Sequence, residues 1–306
     1  MTTAVSEKSR GRSQLMRRAA LAAVGVSCVL VVLKAAAYIV TGSVAMMASL
    51  ADSALDLFAS SINLFAIRES LTPADREHRF GHGKAEPLAG LAQGAFIAGS
   101  ATFLIVQSIA RLVTPRAVDH APVGLGVMVF SIAAVLGLVL YQRIAVARTG
   151  SIAIRADRMH YIGDLLTNIG VALGIALSAR LGILIADPLV GLGVAAVLAA
   201  SAWSVFRQSY DQLMDRELPD EERERIKTIV RRHPEVRNLH DLRTRAAGIY
   251  KFVQLHIELD PAIDLTRAHE VSDQVEKDIL AAFPDAQVII HQDPAGIERP
   301  PPLARS

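Results

Sequence analysis

Residues 43–67 read SVAMMASLADSALDLFASSINLFAI, an apolar run long enough to cross a bilayer that nevertheless carries Asp52 and Asp56 deep inside it. A carboxylate near the bilayer centre costs about 2.5–3.5 kcal/mol even on a lenient insertion scale, so two of them call for a compensating role. Their i, i+4 spacing places both side chains on one helical face, and Ser49, Ser53 and Ser60 extend that face into a polar stripe. The pattern returns at 156–164, ADRMHYIGD, where His160 and Asp164 are again four apart and share a stripe with Asp157, Thr167 and Asn168.

Outward from these two segments the chain shows six apolar stretches of spanning length, at about 19–41, 43–67, 86–112, 122–146, 151–179 and 183–207. Hydrophobic residues make up 52% of the 306 positions and the mean hydropathy is positive, which places the chain outside ordinary soluble domains. The first stretch is too long for a cleaved signal, and five more follow it. Lys8, Arg10, Arg12, Arg17 and Arg18 precede it. Arg68, Arg76, Arg79 and Lys84 follow the second stretch, and Arg143, Arg148, Arg155 and Arg158 surround the start of the fifth. The opposite connections, 41–43, 115–122 and 180–187, carry few charges, so both termini are expected on the cytoplasmic side of an inner membrane. A net charge of +2 without a basic stripe excludes a nucleic-acid binder, and the single cysteine, Cys28, excludes a thiolate cluster or disulfide framework within one chain.

Past residue 210 the composition turns mixed and charged. A helix is expected at 219–232, strands at 239–245, 250–259 and 288–293, and a helix on the Leu265, Ala268, Val271, Val275 and Ile279 repeat. The expected organisation is a basic tail (1–18), a six-helix transmembrane domain (19–209), a cytoplasmic α+β domain (210–296) and a disordered proline-containing tail (297–306). Gly90, Gly94 and Ala98 form a small-residue ridge suited to close helix packing.

Depth brings the two charged pairs together. Counted from Gly42, Asp52 and Asp56 lie about 15–21 Å into their helix, while His160 and Asp164 lie about 14–20 Å into the antiparallel fifth, so all four fall near the midplane of a core about 30 Å thick. Three carboxylates and an imidazole suit a divalent cation: zinc, with iron, manganese or cadmium also acceptable. A proton relay without metal, or polar glue between helices, would use the same residue types. Two further groups hold ligand types. Asp75, His78 and His82 fall within eight residues of the loop after the second stretch; the alternative is a solvated charged loop. His240, His256, His269, His291 and Asp293 are spread over the soluble domain, where isolated histidines are more often plain surface residues. Gly81, Gly83 and Lys84 do not make a phosphate loop, since the required earlier glycine is His78, and no HExxH or nucleophile motif marks an enzyme.

At these residues the chain resembles the cation diffusion facilitator family, its bacterial zinc and ferrous-iron efflux members in particular. The motifs are SLADSALD, FGHGKAEPLA, ADRMHYIGD, HDLRTR, HIEL, AHEVSDQ and IIHQDP, and the resemblance runs from about residue 15 to 296. It implies a homodimer that exchanges a divalent metal for protons by alternating access, with Asp52, Asp56, His160 and Asp164 as transport site and Asp75, His78 and His82 as a second, exposed site. It also implies a metallochaperone-like, ferredoxin-like cytoplasmic domain that binds metal ions bridging two protomers through His240, His256, His269, His291 and Asp293. Lys84 and Asp215 match a charge pair that links the two domains. A proton-coupled carrier of a non-metal substrate, or a membrane-anchored metal sensor, would each need only part of these residues.

Overall fold

The computed structural model describes residues 2–41, 44–113, 122–181 and 186–297. The expected sparsely charged connections fall largely on 42–43, 114–121 and 182–185, and the expected disordered tail on 298–306; these lie outside the described residues. Six long helices come first: α1 (Thr2–Thr41), α2 (Val44–Ser70), α3 (Ala85–Val113), α4 (Pro122–Thr149), α5 (Ile152–Leu181) and α6 (Ala186–Leu213). Among the described residues, segments of α1 to α4 and of α6 are long and apolar enough to cross a membrane. Phe58, Phe65, Phe103 and Trp203 are exposed on the outer faces, as suits side chains solvated by lipid.

Chain folding divides the molecule into a helical unit, Arg12–Tyr210, and a second unit that holds Asp211 and everything after it. The helical unit begins earlier than the expected boundary at residue 19. α1 is continuous through 12–18, Met16 is fully buried, and Arg12 donates to the Thr149 carbonyl at 2.8 Å, a cation at the C-terminus of α4 where the last carbonyls lack partners. Among the described residues, two apolar clusters join helices of this unit. Ala23, Leu30, Val135, Leu138 and Tyr161 join α1, α4 and α5, while Ile97, Ala101, Ala156, Leu198, Ala202 and Val205 join α3, α5 and α6. The small-residue ridge works as expected: a Cβ on Gly90 would meet Ser209 Oγ at 2.2 Å, and Gly94 faces Val205 and the Ala202 carbonyl of α6. Glu86, buried at the start of α3, accepts from the Ala153 amide at 3.3 Å and so caps the first turn of α5 from a neighbouring helix.

The second unit is a three-stranded sheet covered by two helices, in the order α7 (Asp220–Arg231), β1 (Asn238–Ala247), β2 (Tyr250–Leu259), α8 (Leu265–Ala282) and β3 (Ala286–Pro294). Pro219 and the acidic turn Asp220 to Glu222 start α7, and the Asp264 side chain caps α8 by accepting from the Arg267 amide at 2.9 Å. Gly248, at φ 61, opens the two-residue turn between antiparallel β1 and β2, a conformation that favours glycine. α8 then crosses over so that β3 lies parallel to β2 on its other side. Val253, Leu255, Ile257 and Leu259 point into the core against Ile226, Val230, Val271, Val275 and Ile279, which leaves the opposite face of the sheet for polar side chains.

Candidate metal centre

Inside the helical unit, α2 and α5 bring Asp56, His160 and Asp164 together, with ligand atoms of the three within 4.8 Å of one another. His160 Nε2 is 3.0 Å from Asp56 Oδ1 and 3.7 Å from Asp164 Oδ2. Asp164 Oδ2 is buried without a hydrogen-bond partner, an acceptor left open toward whatever the site receives. The three face a cavity of about 230 Å3 that Asp52, Thr167 and Asn168 also line. Asp52 shares that cavity but is not one of the close set. It stands one helical turn from Asp56, about 6 Å along the axis, so a four-ligand shell requires its side chain to swing toward the other three.

Asp157 plays a different part from its stripe neighbours. Fully buried, it accepts from Gln142 Nε2 (2.6 Å), Gln93 Nε2 (3.2 Å) and Ser60 Oγ (3.4 Å), and Ser60 with Ser27 also meets the Tyr161 hydroxyl at 2.7 and 2.6 Å. The three donors to the carboxylate come from α2, α3 and α4, and Ser27 and Tyr161 extend the network to α1 and α5, so Asp157 anchors α5 one turn before His160 instead of facing the cavity. The cavity also has a cation: Lys34 of α1 donates to Ser53 Oγ at 2.7 Å and to the Ser49 carbonyl at 3.2 Å.

In the loop between α2 and α3, Asp75, His78 and His82 also lie with ligand atoms within 4.8 Å. The Asp75 carboxylate is held below its ordinary pKa, chiefly because its Oδ1 accepts the His78 amide at 2.6 Å, and that of Glu77 as well. His82 Nε2 is 3.4 Å from Asp75 and 3.6 Å from Glu69 Oε1, while its Nδ1 is buried without a partner. In the soluble unit, His240, His256 and His291 are cross-strand neighbours in a single row across β1, β2 and β3. They converge on the buried Asp293: His256 Nδ1 at 2.8 Å, His291 Nε2 at 3.1 Å and His240 Nε2 at 3.3 Å. Both ring nitrogens of His240 are buried without a hydrogen-bond partner, which fits a metal-ligating role better than a structural one. His269 does not join them; it is 71% exposed on α8, with Asp273 at 3.8 Å.

Residues 20–214 match the sequence pattern of the cation efflux transmembrane domain, and residues 218–295 match that of the cytoplasmic domain of cation efflux proteins. The chain belongs to the cation efflux family. It is 45% identical over 290 residues to the cation-efflux pump FieF of Klebsiella pneumoniae subsp. pneumoniae, covering 95% of this chain and 96% of that protein. It is likewise 45% identical over 284 residues to the cation-efflux pump FieF of Cronobacter sakazakii, covering 93% and 94%. Among solved structures, the metal-bound C-terminal domain of the CzcD transporter from Thermotoga maritima is 31% identical over 26% of this chain and 93% of that one, with a TM-score of 0.25.

For a cation efflux protein the sequence pointed to most of the clustered residues and missed three that stand beside them. Lys34 was legible as an ionisable residue in an apolar run, but no spacing within α1 ties it to the face of α2 that carries Ser49 and Ser53. Glu69 sits at the end of α2, six residues before Asp75, with nothing periodic to tie it to the loop. Asp241, whose Oδ2 lies 3.9 Å from His256 Nε2, sits beside a strand irregularity between His240 and Arg243, and a bulge of that kind re-aims side chains unpredictably from sequence.

Proposed function

We propose that this protein exports a divalent transition-metal cation, zinc or ferrous iron with cadmium or manganese as further substrates, from the cytoplasm in exchange for protons. It does so as a homodimer in the inner membrane with both termini cytoplasmic, alternating the access of one intramembrane site. The observation that carries this reading is the convergence of Asp56, His160 and Asp164 on one cavity within an apolar helical unit, with Asp52 on the same wall. One imidazole nitrogen and up to three carboxylates make a borderline N/O donor set matched to these ions. Such ligands bind metal only when deprotonated, so arrival of the ion releases protons and its departure takes them up. Exchange follows from the ligands themselves.

The loop and the soluble unit hold regulatory ions in this reading. Asp75, His78 and His82, with Glu69 beside them, would hold one; His240, His256, His291 and Asp293 would hold another, with His269 contributed across the homodimer. Asp215 meets Arg245 Nη1 at 3.3 Å within the soluble unit. Zinc uptake into vesicles by the purified protein tests the proposal, together with His160→Asp. That variant is expected to move preference toward manganese and cadmium and to shift the pH profile to lower values, as a carboxylate replaces the imidazole. Wild-type zinc transport with an unchanged pH profile in His160→Asp would remove His160 from the site.

A further inference from the structure

Away from the metal centre, a second cavity of about 670 Å3 opens between α4, α5 and α6, and three arginines line it: Arg143 from α4, and Arg155 and Arg158 from α5. Arg155 Nη1 donates to Gln208 Oε1 at 2.8 Å, whereas Arg158 Nε is buried without a hydrogen-bond partner. The charges acting on Arg158 are those of Arg155 and Arg143, and among the described residues no carboxylate pairs with any of the three. Arg143 is exposed and Arg155 and Arg158 are partly buried, so the three guanidinium groups repel one another at the pocket mouth and Arg158 also gives up water, a cost that an anion in the pocket would relieve.

The surroundings narrow the kind of anion. Arg143 lies six residues before the end of α4, and Arg155 and Arg158 lie in the first two turns of α5, so all are within about 9 Å of a helix end. That is the depth at which arginine side chains reach the headgroup layer from an apolar stem. The rest of the wall is divided: Ser201, Ser204 and Gln208 offer hydrogen bonds, while Val146, Met159 and Val197 offer an apolar surface. A polar, cationic region joined to an apolar one, on the basic side of a membrane protein, matches an amphiphile with an anionic head. A small free anion would leave the apolar wall unused.

We propose that this pocket binds the phosphate headgroup of an anionic membrane phospholipid, with the guanidinium groups of Arg143 and Arg158 on the phosphate and the acyl chains along Val146, Met159 and Val197. Because Met159 and Arg158 immediately precede His160 on α5, the bound lipid braces the helix that carries half of the metal centre. The test uses the full-length purified protein in detergent, with lipid occupancy measured by native mass spectrometry. Phosphatidylglycerol is expected to bind at least tenfold more tightly than phosphatidylcholine, and Arg143→Gln with Arg158→Gln to lower its affinity on the order of tenfold to thirtyfold. Arg143→Lys with Arg158→Lys keeps the charge and is expected to retain most of the preference, so it serves if the neutral variant fails to fold. The proposal is overturned by equal binding of the two lipids, by a charge-retaining variant that no longer distinguishes them, by undiminished phosphatidylglycerol affinity in the folded glutamine variant, or by millimolar inorganic phosphate competing the lipid away.

Discussion

At Lys34 the apolar run of α1 is broken by an ammonium group tied to Ser53 and the Ser49 carbonyl on α2, on the wall of the cavity that Asp52, Asp56 and Asp164 face. A fixed positive charge there opposes an arriving divalent cation and offsets the repulsion among the carboxylates before it arrives. Replacing Lys34 with Met should therefore tighten zinc binding at this site about tenfold and slow its release, so that calorimetry shows a lower Kd while vesicle transport falls. Unchanged affinity would mean that the charge is screened from the ion. The loop asks for a milder outcome. Joint His78→Ala and His82→Ala should weaken transport without abolishing it, because Asp75 and His78 are exposed and the loop lies outside the spans; transport as low as in Asp56→Ala would contradict this.

Between elements, the two glycines of the α3 ridge make opposite predictions. Gly90→Ala drives a Cβ to 2.2 Å from Ser209 Oγ and 3.1 Å from Ile152 Cγ2, so the helix contact must open, at about 1–3 kcal/mol for overpacking of this kind. Gly94→Ala brings contacts no closer than 3.6 Å and should be tolerated, a contrast that thermal unfolding of the two detergent-solubilised variants measures directly. In the soluble unit, Arg267 of α8 pairs with Glu235 and Glu270. Its hydrogen bond to Glu235 holds that carboxyl below its ordinary value, so the native state binds fewer protons there than the unfolded chain. The stabilisation is present above the ordinary glutamate pKa, about 4.3, and is lost as pH falls through the depressed native value. Hydrogen exchange in α8, corrected for intrinsic rates, should show acid loosening in the wild type and a flatter response in Arg267→Gln. The helices and strands themselves were legible: 3.6-residue and two-residue periodicities are local, and α7, α8 and the three strands fall within a few residues of the expected limits. The start of the helical unit was not, because an arginine-rich segment is polar by composition and becomes part of the bundle only when α4 presents a carbonyl to Arg12.

For the molecule as a whole, the prediction concerns communication between metal and the soluble unit. His240→Ala with His291→Ala removes two of the three imidazoles that meet on Asp293. In the proposed homodimer this should abolish zinc-dependent closure of the cytoplasmic domains, read by cross-linking across a zinc series, while part of the transport remains. Identical closure with and without these ligands would sink the sensing role. Removal of zinc by a chelator should reproduce the variant's behaviour in the wild type.

Sequence by itself determined the membrane class, the mixed helical and α+β composition, and the two helices that carry the intramembrane ligands, because each rests on local quantities: run length, periodicity, and the i, i+4 spacing that fixes a face. Tertiary structure alone decided which polar residues on those faces meet. Asp157 shares a stripe with His160 and Asp164, yet Gln93 and Gln142 from α3 and α4 claim its carboxylate, and Lys34 reaches the cavity from α1. Likewise, the register of β1, β2 and β3 aligns His240, His256 and His291 while leaving His269 apart on α8. A helical face is set by a few neighbours in sequence, but the group it faces is chosen by packing between segments tens of residues apart, and no spacing within one segment encodes that choice.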